Sequence, residues 1–98
     1  MPSLDKIIHE RSRLLILTHL GSNEKKETSF NELKERLGFT SGNLSVQLKK
    51  LKAAGYVKIT KTFKDDKPYT TASITLRGSK ALNSYLDEME GLIKTLRK

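Results

Sequence analysis

The chain has 98 residues, of which 36% are hydrophobic, and a formal net charge of +8; that is enough for one compact domain and too little for two. It contains no cysteine, which excludes disulfides, thiolate metal sites and thiol redox sensing, and no stretch approaches the roughly 20 apolar residues that a membrane span needs. The basic balance suits a polyanionic partner, nucleic acid or an anionic membrane, although a lysine-rich solvated surface gives the same charge.

Met1-Pro2-Ser3-Leu4-Asp5 lacks the basic and apolar regions of a secretory signal, so a cytoplasmic protein is expected. Ser3 can cap a first helix, with Asp5 favourable in its first turn and Leu4, Ile7 and Ile8 on one apolar side. His9-Glu10-Arg11-Ser12-Arg13 interrupts the pattern, and either a bend or a break between two helices fits there. The segment from Leu14 to Leu20 is apolar nearly all round, which predicts a helix central to the core. Gly21-Ser22-Asn23 ends it, and Glu24–Glu27 is a charged loop.

Thr28-Ser29 is long enough only for a minimal strand. Ser29 and Glu32 form a capping box, Phe30, Leu33 and Leu37 supply the inner face of a second helix, and Gly38 stops it. Thr40 is a good N-cap for a third helix. Leu44, Leu48 and Leu51 recur at i, i+4 and i+7, one apolar stripe, and Gly55 enters the left-handed C-terminal position without a Cβ penalty. Two short helices joined by Gly38-Phe39-Thr40 fit a helix-turn-helix, with the recognition helix at about 41–54.

Strand-type residues follow from Tyr56 to about Phe63. Lys64-Asp65-Asp66-Lys67-Pro68 reads as a turn, and Tyr69–Leu76, rich in Tyr, Thr and Ile, as the return strand. This hairpin is the wing, about 57–75. Thr75-Leu76-Arg77-Gly78 opens a last helix to about Leu96, with Leu82, Tyr85 or Leu86, Met89, Leu92 or Ile93, and Leu96 stepping by three and four. The expected fold is mainly α with a small β-hairpin. It forms a single winged helix-turn-helix domain over 1–98, with a core over 1–74 and a long C-terminal dimerisation helix over 75–98.

These residues resemble the small stand-alone winged-helix transcriptional regulators related to MarR and ArsR. Arg13-Leu14-Leu15-Ile16-Leu17, Phe30-x-x-Leu33 and Thr40-Ser41-Gly42-Asn43-Leu44-Ser45 carry the likeness, together with Leu48, Leu51, Ala54-Gly55-Tyr56-Val57 and Thr75-Leu76-x-Gly78. The resemblance implies a homodimer on a pseudo-palindromic operator. ArsR-type sensors use cysteine metal sites, which this chain lacks, and MarR-type proteins carry longer helical extensions.

With Leu44, Leu48 and Leu51 turned inward, the opposite side of the third helix carries Gly42, Val46, Lys49, Lys50 and Ala53, with Ser41, Asn43, Ser45 and Gln47 nearer its start. Asn43 and Gln47 can pair with adenine and Val46 can touch a thymine methyl, while Lys49 and Lys50 can reach phosphate or guanine. Any solvated helix shows Ser, Asn, Gln and Lys, so the absence of Asp and Glu from Ser41 to Ala54, against 11 in the chain, is the informative feature. Lys58, Lys61, Lys64 and Lys67 on the wing can meet backbone phosphates, or serve only to protect an edge strand.

The last helix exposes more apolar surface than so small a core covers, which predicts pairing with a second copy through Leu82, Tyr85, Leu86, Met89, Leu92, Ile93 and Leu96, joined by Leu4, Ile7 and Ile8. His9 and His19 have no ligand-like spacing, no cofactor is expected, and no nucleophile with a base and an orienting group appears, so no enzyme is expected. The leading reading is a sequence-specific double-stranded DNA-binding regulator. A winged-helix protein-interaction module and a non-specific nucleic-acid-binding protein are the alternatives.

Overall fold

A computed structural model describes residues 4–22 and 27–97. The elements run α1 (Arg11–Ser22), β1 (Thr28–Ser29), α2 (Phe30–Leu37), α3 (Ser41–Ala53), β2 (Val57–Lys64), β3 (Lys67–Ile74) and α4 (Leu76–Leu96). Of the bend or break that the sequence allows near His9, the fold shows a break, and what precedes it is a turn where a first helix was expected. Asp5 Oδ1 accepts from the backbone N–H of Ile7 at 2.8 Å and of Ile8 at 3.2 Å, making a separate turn. Glu10 then caps α1 by accepting from the N–H of Ser12 at 3.1 Å and of Arg13 at 3.0 Å. Burial works against the charge on Glu10, but the Arg13 and Ser12 N–H groups and the Arg13 cation outweigh it and hold the carboxyl below its ordinary 4.5. Ser3, expected as the first cap, lies outside the described residues.

The remaining caps follow the sequence. Ser29 Oγ accepts from the Glu32 N–H at 3.1 Å and starts α2. Thr40 Oγ1 accepts from the Asn43 N–H at 3.1 Å and starts α3. At the far end of α3, the Gly55 N–H reaches Lys52 O at 2.9 Å and the Tyr56 N–H reaches Leu51 O at 3.0 Å. This is a Schellman arrangement, and it needs the φ of +81° that Gly55 adopts.

The sheet order is β1-β3-β2, all antiparallel. β1 adds only Thr28 and Ser29, opposite Ala72 and Thr71. The wing turn is tighter than the sequence suggests: Lys64 pairs with Lys67, leaving Asp65 and Asp66 as a two-residue connection with φ of 53° and 61°. Two positive φ values match a type I′ turn, whose twist suits a hairpin. Pro68 lies inside β3 opposite Phe63. The pair beside a turn-closing pair is a non-hydrogen-bonded one, so the missing proline N–H costs no ladder bond.

Ile8, Ile16, Leu17, Leu33, Leu44 and Leu51 are the largest fully buried side chains. α1 packs against α2, α3, β3 and α4, the central place its apolar run predicts. The N-terminal turn is tied to its neighbours by polar bonds. His9 Nδ1 and the Tyr85 hydroxyl share a hydrogen bond of 2.8 Å. The Tyr56 hydroxyl donates to Asp5 Oδ2, and that bond, with burial, pushes the phenol pKa up.

α4 starts against the end of α3. Thr75 Oγ1 donates to Gly55 O at 2.6 Å and accepts from the Gly78 N–H at 3.0 Å, while the Thr75 N–H donates to Tyr56 O at 3.0 Å. Three residues expected between two copies are covered by this chain alone: Ile8 is 0%, Tyr85 3% and Leu82 7% exposed. α1 and the N-terminal turn fill the space that a second chain was expected to fill. Leu4, Ile7 and Met89 pack partly buried against the same cluster. Beyond Tyr85 this cover thins to the partly buried Met89, and Leu86 (44%), Ile93 (45%) and Leu96 (83%) stand in solvent. The molecule is drawn out to 56 × 25 × 24 Å.

Candidate nucleic-acid interface

α3 anchors itself through buried Leu44, Leu48 and Leu51. At about 100° per residue, Gly42, Val46, Lys49, Lys50 and Ala53 fall on the opposite side, and all five are exposed, as are Ser41 and Asn43. Val46 leaves 48% of its surface in water, where core packing gives no reason for an aliphatic residue. No carboxylate stands on this helix to repel phosphate.

The two flanks of α3 meet different neighbours. On one, Ser45, Lys49 and Lys52 face Lys61 and Thr70 of the wing across a cleft of about 320 Å³ that Phe30, Leu48 and Ile59 also line. Three lysines thus border one open cleft beside the recognition helix. On the other flank Gln47 is half-buried. Its Oε1 accepts from Arg13 Nη1 at 2.8 Å and its Nε2 donates to Asn43 Oδ1 at 3.3 Å. The sequence leaves Gln47 free to meet adenine; in the fold both ends of its amide are bonded.

Side chains alternate along a strand. Lys61 therefore shares the α3 side of the wing with Ile59 and Phe63, while Lys58 and Lys64 point the other way. Lys67, opposite Lys64, shares that far side. There Lys64 Nζ sits 5.0 Å from the Tyr69 ring centroid, a cation–π contact. Of the four wing lysines singled out in the sequence, Lys61 joins Lys49 at the cleft, and Lys58, Lys64 and Lys67 do not.

Sequence reasoning passed over three residues here. Lys52 was detectable, because it lies one helical turn after Lys49 on the same flank. Phe63 is 79% exposed on the α3 side of the wing, and only the strand register reveals that side. Arg13 is separated from Gln47 by 34 positions, and no local pattern joins them. His9 and His19 are kept apart: His9 bonds Tyr85, and His19 Nε2 lies 3.7 Å from Glu32. Among the described residues, no helix is long and apolar enough to cross a membrane.

Comparison with known proteins agrees with this geometry. The chain is 37% identical over 91 residues to the uncharacterized protein MJ0432 of Methanocaldococcus jannaschii, covering 93% of this chain and 97% of that one. A transcriptional regulator homologue from Pyrococcus horikoshii OT3 superposes with a TM-score of 0.84 at 28% identity, over 92% of this chain and 87% of that one. MepR, a transcription regulator of the Staphylococcus aureus multidrug efflux pump MepA, shares the fold with a TM-score of 0.70 at 16% identity, over 87% of this chain and 61% of its own. A family model described as a winged helix DNA-binding domain matches residues 12–93. With its capped two-helix unit, its open third helix and its lysine-bearing hairpin, the chain belongs to this family of winged helix DNA-binding domains.

Proposed function

We propose that this protein is a homodimeric transcription regulator that binds a specific double-stranded DNA sequence. The observation that carries the reading is the acid-free outer face of α3, continuous with the cleft bordered by Lys49, Lys52 and Lys61. The N-terminal half of α3 enters the major groove, where Asn43 and Val46 meet base edges and Ser41, Gly42 and Ser45 border them. Gln47 supports Asn43. The cleft lysines and Lys50 hold phosphates, which set register without reading sequence. Lys64 and Lys67 meet the backbone beyond the wing.

The segment 75–98 acts as the dimerisation helix in this reading. Leu86, Ile93 and Leu96 are exposed, and Met89 and Leu92 are half-buried beside them. Side chains of this size gain roughly 1.5–3 kcal/mol each when fully buried, so pairing with the same helix of a second copy is favoured. Two-fold symmetry then sets two recognition helices about one DNA turn, roughly 34 Å, apart on a pseudo-palindromic operator.

The test is an electrophoretic shift on a sequence selected from random duplex DNA, challenged with scrambled competitor. A shifted band that survives scrambled DNA is the expected result. Equal competition by any sequence would leave only a non-specific nucleic-acid coat, and no shift would leave the protein-interaction reading.

A further inference from the structure

Arg13 is not on the recognition helix, yet its side chain is only 12% exposed and ends against α3. Its place is held by Ile7 and Glu10. Its Nε donates to the carbonyl oxygen of Ile7, its backbone N–H is held by Glu10 at 3.0 Å, and its Nη1 lies 3.8 Å from Glu10 Oε2. The guanidinium is therefore positioned by the N-terminal turn and the start of α1 before it meets Gln47.

The chemistry of the two amides follows from that. A guanidinium only donates hydrogen bonds. The Gln47 atom facing it at 2.8 Å must be the oxygen, Oε1. Gln47 Nε2 then faces the other way, and at 3.3 Å from Asn43 it needs an acceptor there, so the Asn43 atom facing it is Oδ1. The Asn43 Nδ2 is the free end of this exposed amide, its N–H donors unused among the described residues. One donor-only side chain thus sets the orientation of two amides in series.

We propose that Arg13 is a positioning residue that holds the Asn43 amide, through Gln47, with its N–H donors outward, so that Asn43 selects a keto base over an amino base in the major groove. Thymine O4 and both guanine acceptors, O6 and N7, take hydrogen bonds there and cytosine N4 only donates, while adenine sets its one acceptor, N7, beside the N6 donor, so that an NH2 group aimed at its edge also meets a donor. The proposal rests on the reading of α3 as the DNA-reading helix. It adds which class of base Asn43 chooses and a determinant of that choice outside α3.

The experiment is sequence selection from a random duplex library by the full chain, comparing the native protein with Asn43→Ala, Arg13→Met and Gln47→Glu. Asn43→Ala marks the base pair that Asn43 reads, by flattening its preference. The native protein favours guanine or thymine there by roughly tenfold, the scale of one good base contact. Arg13→Met fills similar space and cannot donate, so that preference falls to within about twofold while other positions keep theirs. Gln47→Glu provides only acceptors: its carboxylate keeps Arg13 and turns the Asn43 amide over, and adenine or cytosine becomes favoured at the same position. A merely structural role for Arg13 would weaken every sequence alike and leave the preference in place.

Should Arg13→Met fail to fold, Gln47→Glu at the half-buried flank of α3 decides alone, with its fold checked by circular dichroism. If the native protein enriches a sequence and Gln47→Glu leaves the keto preference intact, the relay is wrong and the DNA-binding reading stands. If Asn43→Ala alters no position, the relay is likewise wrong. If the native protein enriches no sequence at all, the sequence-specific reading of α3 falls, and the relay falls with it.

Discussion

Two glycines in α4 should respond to the same substitution with opposite sign. Alanine is favoured over glycine in a helix interior by about 0.8–1.0 kcal/mol, so propensity alone stabilises both Gly78→Ala and Gly91→Ala. At Gly91 nothing lies within 4 Å of the added Cβ, and a gain of about 0.5–1 kcal/mol should be realised. At Gly78 the added Cβ would meet Tyr56 O at 2.1 Å and the Tyr56 carbonyl carbon at 2.9 Å. That oxygen cannot swing aside cheaply, because it accepts from the Thr75 N–H at 3.0 Å and belongs to the residue that closes the α3 cap. Relief requires α4 to retreat from the end of α3 by roughly 1 Å, and overpacking of this kind costs about 1–3 kcal/mol or more. Gly78→Ala should therefore be net destabilising by about 1–2 kcal/mol. At roughly 4–8 °C per kcal/mol for a domain of this size, the midpoint falls by about 5–15 °C, while Gly91→Ala raises it by a few degrees. Thermal unfolding followed at 222 nm, at one fixed protein concentration because dimerisation would shift the midpoint, measures both. A Gly78→Ala protein at least as stable as the native one would refute the close docking of α4 on the recognition helix.

Operator affinity should fall steeply with salt, because each neutralised phosphate gives a log–log slope near −0.9; six to ten contacts per dimer would lose about 10³–10⁵ between 50 and 200 mM salt, and a flat titration rejects the role of the lysines. Leu86→Lys combined with Ile93→Lys should give monomers by sedimentation equilibrium that keep their helical signal and lose operator affinity, and a native chain that sediments as a clean monomer rejects the dimer. Lys49→Ala and Lys61→Ala should each weaken operator and random DNA by similar factors, since they hold phosphate; a loss confined to the operator would make them base readers. Glu10, held below its ordinary 4.5 in the folded chain, contributes stability that is present above that value and lost as pH falls through the lower folded value. Urea unfolding at pH 7 and at pH 3 should thus show Glu10→Gln weaker than the native chain at pH 7, with the gap narrowing in acid; a constant gap contradicts the assignment of Glu10 as a charged cap.

Elements governed by near neighbours were legible in the sequence. Caps act over three residues and an apolar stripe over four, so Ser29, Thr40, Gly55 and the run Leu44, Leu48, Leu51 disclosed α2, α3 and the stop after α3 directly. Thr75 and Gly78 marked the start of α4 in the same way. The wing was visible as two strands, but its turn was drawn too wide. Pro68 reads as a loop residue until the pairing register puts it at a position that needs no N–H.

What only the tertiary structure decided is where each periodic face meets its neighbour. A 3.6-residue period says that Leu82, Tyr85, Leu86, Met89 and Ile93 lie along one side of α4. It does not say that the rest of the chain buries Leu82 and Tyr85, covers Met89 in part and leaves Leu86 and Ile93 exposed. Ile8 moved from an expected interface to the core for the same reason. The wing lysines are equivalent in composition, and only the strand register brings Lys61 to the cleft and turns Lys64 and Lys67 away. Gln47 has the face of a free reader on the helix, and it becomes a bonded one because Arg13 arrives from another element. Helical period and capping are properties of consecutive residues, whereas these contacts depend on the path that the intervening chain takes.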